Sequence, residues 1–214
     1  MSVLNRPRIE AYIGASGSGK GVSVNARLRE LTPRRLLIWD PRNEYDAYAR
    51  AVHSLPELVK AFQKAGAGGV RVRYVPGAAL KLDDAFDVVC KLAFNAGELV
   101  FVAEELSDVT TASRAPASWR QVITQGRHRA LHVLGCAQRP ALIDKTFLGN
   151  ATYIRCFTLR YDDDRRAMAK ALDVPQAQVD ALETVETEKH TTIRYIERDF
   201  RAKVLRTAQI RLAR

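Results

Sequence analysis

Apolar positions along the chain switch between period two and helical spacing, and each switch marks an element. The run Arg8-Ile9-Glu10-Ala11-Tyr12-Ile13 alternates and predicts a strand, and Val22 to Leu31 predicts a helix that stops at Thr32-Pro33. Leu36-Leu37-Ile38-Trp39 is wholly apolar and ends in Asp40-Pro41, the pattern of a buried strand stopped at its carboxyl end. Leu55, Leu58, Val59 and Phe62 share one helical face within Leu55 to Ala65, which Gly66-Ala67-Gly68-Gly69 terminates. Val70 to Val75 alternates up to Pro76-Gly77 and predicts a strand; Lys81 to Asn95 predicts an amphipathic helix.

The second half continues the pattern. Leu99 to Ala103 is apolar throughout, as in a parallel strand covered on both faces, and runs into Glu104-Glu105. A small, polar loop (Thr110 to Ala117) precedes a helix from Ser118 to Arg129. Strands are predicted at Leu131 to Ala137 and Tyr153 to Leu159, and helices at Arg165 to Leu172 and Gln176 to Glu183. Thr191 to Glu197 and Ala202 to Leu212 read as a terminal hairpin. Alternating strands and helices predict an α/β fold, a mainly parallel sheet with helices on both faces. The expectation is one domain over residues 1–214, with a core at about 8–160 and helices and terminal strands over 161–214. In such sheets ligands sit at the carboxyl ends of the strands, and the expectation is that every polar cluster singled out here follows a strand, which points to one shared site.

Between the first strand and the first helix lies Gly14-Ala15-Ser16-Gly17-Ser18-Gly19-Lys20-Gly21. Strand, glycine-rich loop and helix are the context of a phosphate-binding loop. Glycine lets the backbone curl its N–H groups toward phosphate oxygens, and the helix that follows adds its positive dipole end. Lys20 is placed for the β- and γ-phosphates, so a nucleoside triphosphate is the expected ligand. The hydroxyl that ordinarily follows the lysine and holds Mg²⁺ is missing at Gly21, which leaves Ser23 as the candidate substitute.

Charge narrows the partner. The net charge is +10, and 25 of the 34 basic residues are arginine. Guanidinium pairs bidentately with phosphate, so a nucleic-acid backbone is the natural acidic partner. Three widely spaced cysteines, Cys90, Cys136 and Cys156, indicate buried thiols in a reducing cytosol rather than a disulfide or zinc framework. Neither a signal-peptide core at Met1 to Arg8 nor an apolar run long enough for a bilayer is expected.

Triphosphate hydrolysis needs a metal, a group that activates water and a cation for the charge developing on the γ-phosphoryl. Glu104 is placed to hold Mg²⁺, in the main through water, and Glu105 to polarise the attacking water. Gln138, ending the next strand, has an amide that can donate to a γ-phosphate and accept from water. Arg127 and Arg139 are the available cations.

Taken together, Gly14–Lys20, Trp39-Asp40-Pro41 with Glu44-Tyr45, Glu104-Glu105, Gly126-Arg127-His128-Arg129 and Ala137-Gln138-Arg139-Pro140 resemble the FtsK–HerA superfamily of DNA-pumping ATPases. The specific part is Arg127, eleven residues before the strand-ending Gln138. The resemblance spans roughly residues 8–160 and implies a RecA-like P-loop fold. It implies Glu105 as catalytic glutamate, Gln138 as sensor and Arg127 as a finger acting across a subunit interface, in a hexameric ring around double-stranded DNA. ATP and Mg²⁺ are the implied cofactors. Without an evident membrane span or further domain, the chain looks like the genome-packaging ATPases of tailless, internal-membrane bacterial viruses of the tectivirus type. That implies capsid or portal-vertex partners and a place in the host cytoplasm or at the packaging vertex. Two other readings stay open: a nucleoside monophosphate kinase, and a DNA-binding protein that keeps a P-loop without hydrolysis.

Overall fold

The computed structural model of the chain describes residues 6–77 and 81–213. It opens with β1 (Arg8–Ile13), the phosphate loop and α1 (Lys20–Leu31). Then come β2 (Arg35–Trp39), β3 (Arg50–Val52), α2 (Leu55–Ala65), β4 (Val70–Tyr74), α3 (Leu82–Ala96) and β5 (Val100–Ala103). The second half holds α4 (Ala117–Gln125), β6 (His132–Ala137), α5 (Lys145–Asn150), β7 (Tyr153–Cys156), α6 (Asp162–Leu172), α7 (Gln176–Asp180), β8 (Thr184–Glu186), β9 (His190–Asp199) and β10 (Val204–Ala213). Residues 1–5, part of the amino-terminal stretch considered above, lie outside the described residues.

The strands form one sheet in the order β10-β9-β7-β1-β6-β5-β2-β4-β3, with β8 paired to β9. From β7 to β3 every pairing is parallel; β9 runs antiparallel to β7 and β10 antiparallel to β9. This is the expected mainly parallel α/β fold with a terminal hairpin. The order has one consequence for the site. β6 lies between the strand that leads into the phosphate loop and the strand that leads into the acidic pair.

Strand alternation sorts the core into two layers. On one face Ile9, Ala11, Ile13, Leu37, Trp39 and Phe101 pack against residues of α2 to α7. Their centre is an aromatic chain: Trp39 to Phe86 at 5.2 Å, Phe86 to Trp119 at 5.4 Å and Trp119 to Phe147 at 5.6 Å between centroids. Such pairs add about 0.5–1.5 kcal/mol each beyond their buried area. A side chain at Gly135 would stand 2.4 Å from the Phe147 ring, so the bare glycine lets that ring reach the sheet. On the other face Tyr12, Leu36, Ile38, Val102 and Leu134 meet Val24 and Leu28 of α1.

Boundaries moved in several places. The predicted strand from Tyr153 to Leu159 leaves the sheet at Cys156, because the next residues turn to support the phosphate loop. The predicted helix from Ser118 to Arg129 ends at Gln125 and tightens into a 3-10 turn over Gly126–Arg129. The short β3, β8 and α5 are absent from the sequence reading, since three to six residues carry too little period to detect. Cys90, Cys136 and Cys156 are buried free thiols, as expected. No helix among the described residues is long and apolar enough to cross a membrane.

Candidate functional site

The phosphate loop is anchored on both sides of β1. Gly14 N–H donates to Ala137 O at 3.1 Å and Ala15 N–H to Thr158 O at 2.9 Å, tying the loop to the ends of β6 and β7. Gly17 (φ 75°) and Gly19 (φ 102°) occupy left-handed backbone that L side chains avoid. At Gly19 an added Cβ would also lie 2.9 Å from Ile193 Cδ1. Phe157, Ile193 and Tyr195 form a small apolar cluster against the loop, so the antiparallel strand β9 buttresses it. Sequence reasoning missed this support, because Ile193 is far from the loop in the chain and looks like any hairpin residue.

After Gly19, α1 begins at Lys20 with no side-chain cap, so its first-turn N–H groups point out of the helix toward the loop. The Lys20 ammonium donates to Gly14 O at 2.7 Å and Ala15 O at 3.1 Å. Side chains at Gly17 and Gly21 would meet nothing within 4 Å. Free amides, a helix dipole and a lysine thus converge at one end of β1, a cradle for a polyphosphate.

The acidic pair closes the other side. Glu105 follows β5 in left-handed backbone (φ 44°), where a non-glycine residue is strained by roughly 1–2 kcal/mol. Its carboxylate, on a buried residue, accepts from Gln138 Nε2 at 2.6 Å. Because β6 lies between β1 and β5, its last turn carries Gln138 between the loop and the acidic pair.

Glu104 is held differently. The Tyr45 hydroxyl donates to its Oε1. Tyr45 is fixed in turn by Asp40, whose carboxylate accepts from the Glu44 N–H at 2.9 Å, the Tyr45 N–H at 3.2 Å and Arg73 Nη1 at 2.9 Å. So the Trp39-Asp40-Pro41 and Glu44-Tyr45 segments act together to position Glu104. Burial pushes the Glu104 carboxyl above its ordinary range, opposed by the Tyr45 hydroxyl, the Cys136 thiol and the Lys20 ammonium.

One expectation needs correction. Ser23 does not stand in for the missing hydroxyl after Lys20: it is buried, and its Oγ accepts from Arg155 Nη1 at 3.1 Å, away from the loop. Arg127 does not join the cluster at the strand carboxyl ends. It sits in the exposed 3-10 turn that enters β6, at the amino edge of the sheet, with His128 as its side-chain partner at 3.3 Å. Its distance from this chain's own loop is the length of a strand. Arg139 is occupied as well, donating to the buried Asp164 at 2.6 Å and stacking on Tyr161 at 3.9 Å.

The donors suit Mg²⁺ delivered with a nucleotide. Such an ion takes one or two carboxylates and completes its shell with phosphate oxygens and water. Glu104 would supply one, and no group of three or more metal-binding side chains exists among the described residues.

No protein family matches the chain, and no curated protein does. Solved structures do. The genome packaging NTPase B204 from Sulfolobus turreted icosahedral virus 2, in complex with sulfate, superposes with a TM-score of 0.72 at 15% identity, over 97% of this chain and 98% of that chain. Its complex with ATP-gammaS gives 0.71 at 16% identity, over 96% and 98%. VirB4 of Thermoanaerobacter pseudethanolicus gives 0.64 at 11% identity, over 98% and 90%. The chain shares the fold of these NTPases. At these identities the likeness shows the fold alone, and the chemistry must be argued from the site.

Proposed function

We propose that the protein hydrolyses ATP with Mg²⁺ and couples the reaction to moving double-stranded DNA, as the genome-packaging motor of a virus. One observation carries the reading. Lys20, Glu104, Glu105 and Gln138 lie at the carboxyl edge of the sheet, while the arginine turn with Arg127 lies at the amino edge of the same sheet. An arginine turn at the edge away from its own loop is available to the site of a second copy, which supports a ring, hexameric in the family resemblance.

In this reading the loop amides and Lys20 bind the β- and γ-phosphates. Bound with Glu104, Mg²⁺ supplies Lewis-acid neutralisation of the phosphate charge. Glu105 takes the proton from a water as its oxygen attacks the γ-phosphorus and ADP leaves. Gln138 reports the γ-phosphate, and the neighbour's arginine stabilises the transition-state charge. The charge of +10 supports a DNA track. Capsid or portal-vertex proteins are the partners this function requires, and the packaging vertex, reached from the host cytoplasm, is where it would act.

The test is steady-state ATP hydrolysis with and without duplex DNA, alongside electron microscopy of the protein with nucleotide and duplex. Hydrolysis stimulated by DNA, abolished in Glu105→Gln, and rings on the grid are expected. ADP production only when a nucleoside monophosphate is added, without release of phosphate, would assign the chain to kinases instead. Nucleotide binding without turnover would leave a DNA-binding P-loop protein.

A further inference from the structure

The face of the sheet that carries α1 is only partly covered. Over β1, β7 and β9 its inward positions are polar: Glu10, Arg155 and Glu197. Their charges are spent on one another. Glu10 accepts from Arg27 Nη2 at 2.7 Å, His132 Nε2 at 2.6 Å and the Tyr12 hydroxyl at 2.6 Å. Glu197 accepts from Arg155 Nη2 at 2.5 Å, from the Tyr153 hydroxyl and from Arg206. This floor lines a groove of about 590 Å³. A second groove of about 620 Å³ follows the amino ends of β1, β6, β5 and β2. Arg8, Leu31 and His132 line both, so the two are continuous around the carboxyl end of α1.

Beside Glu30 and Glu98, the lining of this channel includes four arginines without carboxylate partners, Arg6, Arg8, Arg34 and Arg201. The turn between β9 and β10 is carried to the start of β1, because Asp199 pairs with Tyr153 and the Phe200 N–H donates to Thr152 O at 3.0 Å. That places Arg201 beside Arg8 and Arg6, and the guanidinium of Arg201 is pushed below its usual range by loss of solvent and by the charge of those two neighbours. Among the described residues none of the three has a carboxylate within ion-pair distance. The nearby Asp199 Oδ1 is already taken by the N–H groups of Arg201 and Ala202, both at 2.8 Å. Farther along, Arg34 Nη2 donates to Ala67 O at 3.3 Å. Like charges gathered without counter-charge are stabilised by an anion.

The length of the channel identifies the anion. From the β9–β10 turn to β2 the sheet order spans five strand spacings, roughly 24 Å at about 4.8 Å each. A lone phosphate would use one end of it. Duplex DNA carries one charge per about 1.7 Å of axis and meets such a channel along its whole length. The geometry points to the phosphodiester backbone of duplex DNA as the occupant of this channel, held by Arg6, Arg8, Arg34 and Arg201 at the edge of the sheet opposite this chain's own nucleotide. The inference rests on the DNA partner of the proposed function but not on its ATP chemistry.

The test measures affinity for a fluorescent duplex of arbitrary sequence across a salt series, on the full chain. Arg8 and Arg201 are exposed, so Arg8→Gln/Arg201→Gln keeps the fold. Each phosphate contact contributes a log–log slope of about −0.9, so the double variant should lose about two from the magnitude of the slope. Arg8→Lys/Arg201→Lys should restore it. Arg120→Gln/Arg166→Gln, an equal charge loss on exposed helix positions elsewhere, should leave the slope as in wild type, and basal ATP hydrolysis should persist in every variant. A wild-type slope in Arg8→Gln/Arg201→Gln overturns the inference, as does an equal loss in the control pair. Lost self-association with unchanged DNA binding would reassign the channel to a subunit contact and overturns it too. Displacement of DNA by inorganic phosphate beyond that by chloride at equal ionic strength would mark a single-phosphate site, again against it. Failure of wild type to hydrolyse ATP would remove the motor reading and leave the slope comparison intact.

Discussion

The side-chain amide of Gln138 donates to the carboxylate of Glu105 at 2.6 Å, so the group assigned to sense the γ-phosphate holds the group assigned to activate water. Occupied in this way, Glu105 has one oxygen less for a water, and a γ-phosphate that recruits the amide would free it. Gln138→Ala is therefore expected to lower kcat while leaving the affinity for ATP near wild type, because general-base positioning is worth on the order of 10²–10⁴ in rate. Single-turnover hydrolysis beside equilibrium binding of a labelled nucleotide checks this. A variant with normal kcat would make the 2.6 Å contact merely structural.

The loop and its buttress can be separated from the chemistry. Lys20→Ala should weaken ATP binding, whereas Glu105→Gln should bind ATP and stop turning over. Gly19→Ala should resemble Lys20→Ala, since a Cβ at φ 102° is strained and meets Ile193 Cδ1 at 2.9 Å. Combining it with Ile193→Ala relieves the contact but not the backbone strain, so only partial recovery of binding is expected by calorimetric titration.

Arg127 offers the sharpest test of subunit sharing. It stands in the turn entering β6, at the edge of the sheet away from its own loop. Arg127→Ala should bind ATP and fail to hydrolyse it, with a loss of about 10³-fold or more for a finger of this kind. Mixed with the equally inactive Glu105→Gln protein, it should regain activity, because some interfaces join an intact Glu105 to an intact Arg127. Two proteins that stay inactive after demonstrated subunit exchange would return Arg127 to a surface charge.

Acid stability should report on Glu10. Burial alone would raise its carboxyl, but His132, Arg27 and Tyr12 more than offset that and lower it from 4.5 to about 2. A folded-state value below the unfolded one gives stability that is fully present above pH 4.5 and is lost as the pH falls toward 2. Thermal melts from pH 6 down to about 2 should therefore show a steep acid limb. In Glu10→Gln the limb should flatten, and the neutral-pH melting temperature should drop because Arg27 and His132 lose their carboxylate. An unchanged acid limb would show that other carboxylates dominate acid unfolding.

What the sequence alone determined is local in origin. Alternation over Arg8–Ile13, the apolar runs ending at Trp39 and Ala103, the glycines before Lys20 and the glutamates and glutamine at strand ends are short-range patterns, and the strands and loop they indicate are found in place. Tertiary structure decided whatever depends on which strand lies beside which. Placing β6 between β1 and β5 brings Gln138 to Glu105, 33 residues apart in the chain. Asp40 and Arg73 aim Tyr45 at Glu104, Arg155 claims Ser23, and Ile193 supports Gly19. Arg127 shares a sequence motif with Gln138 yet lies at the opposite edge of the sheet, because one precedes β6 and the other follows it. Periodicity records which face of an element is buried, whereas neighbours in space are set by strand order and by packing between distant segments, which no local pattern encodes.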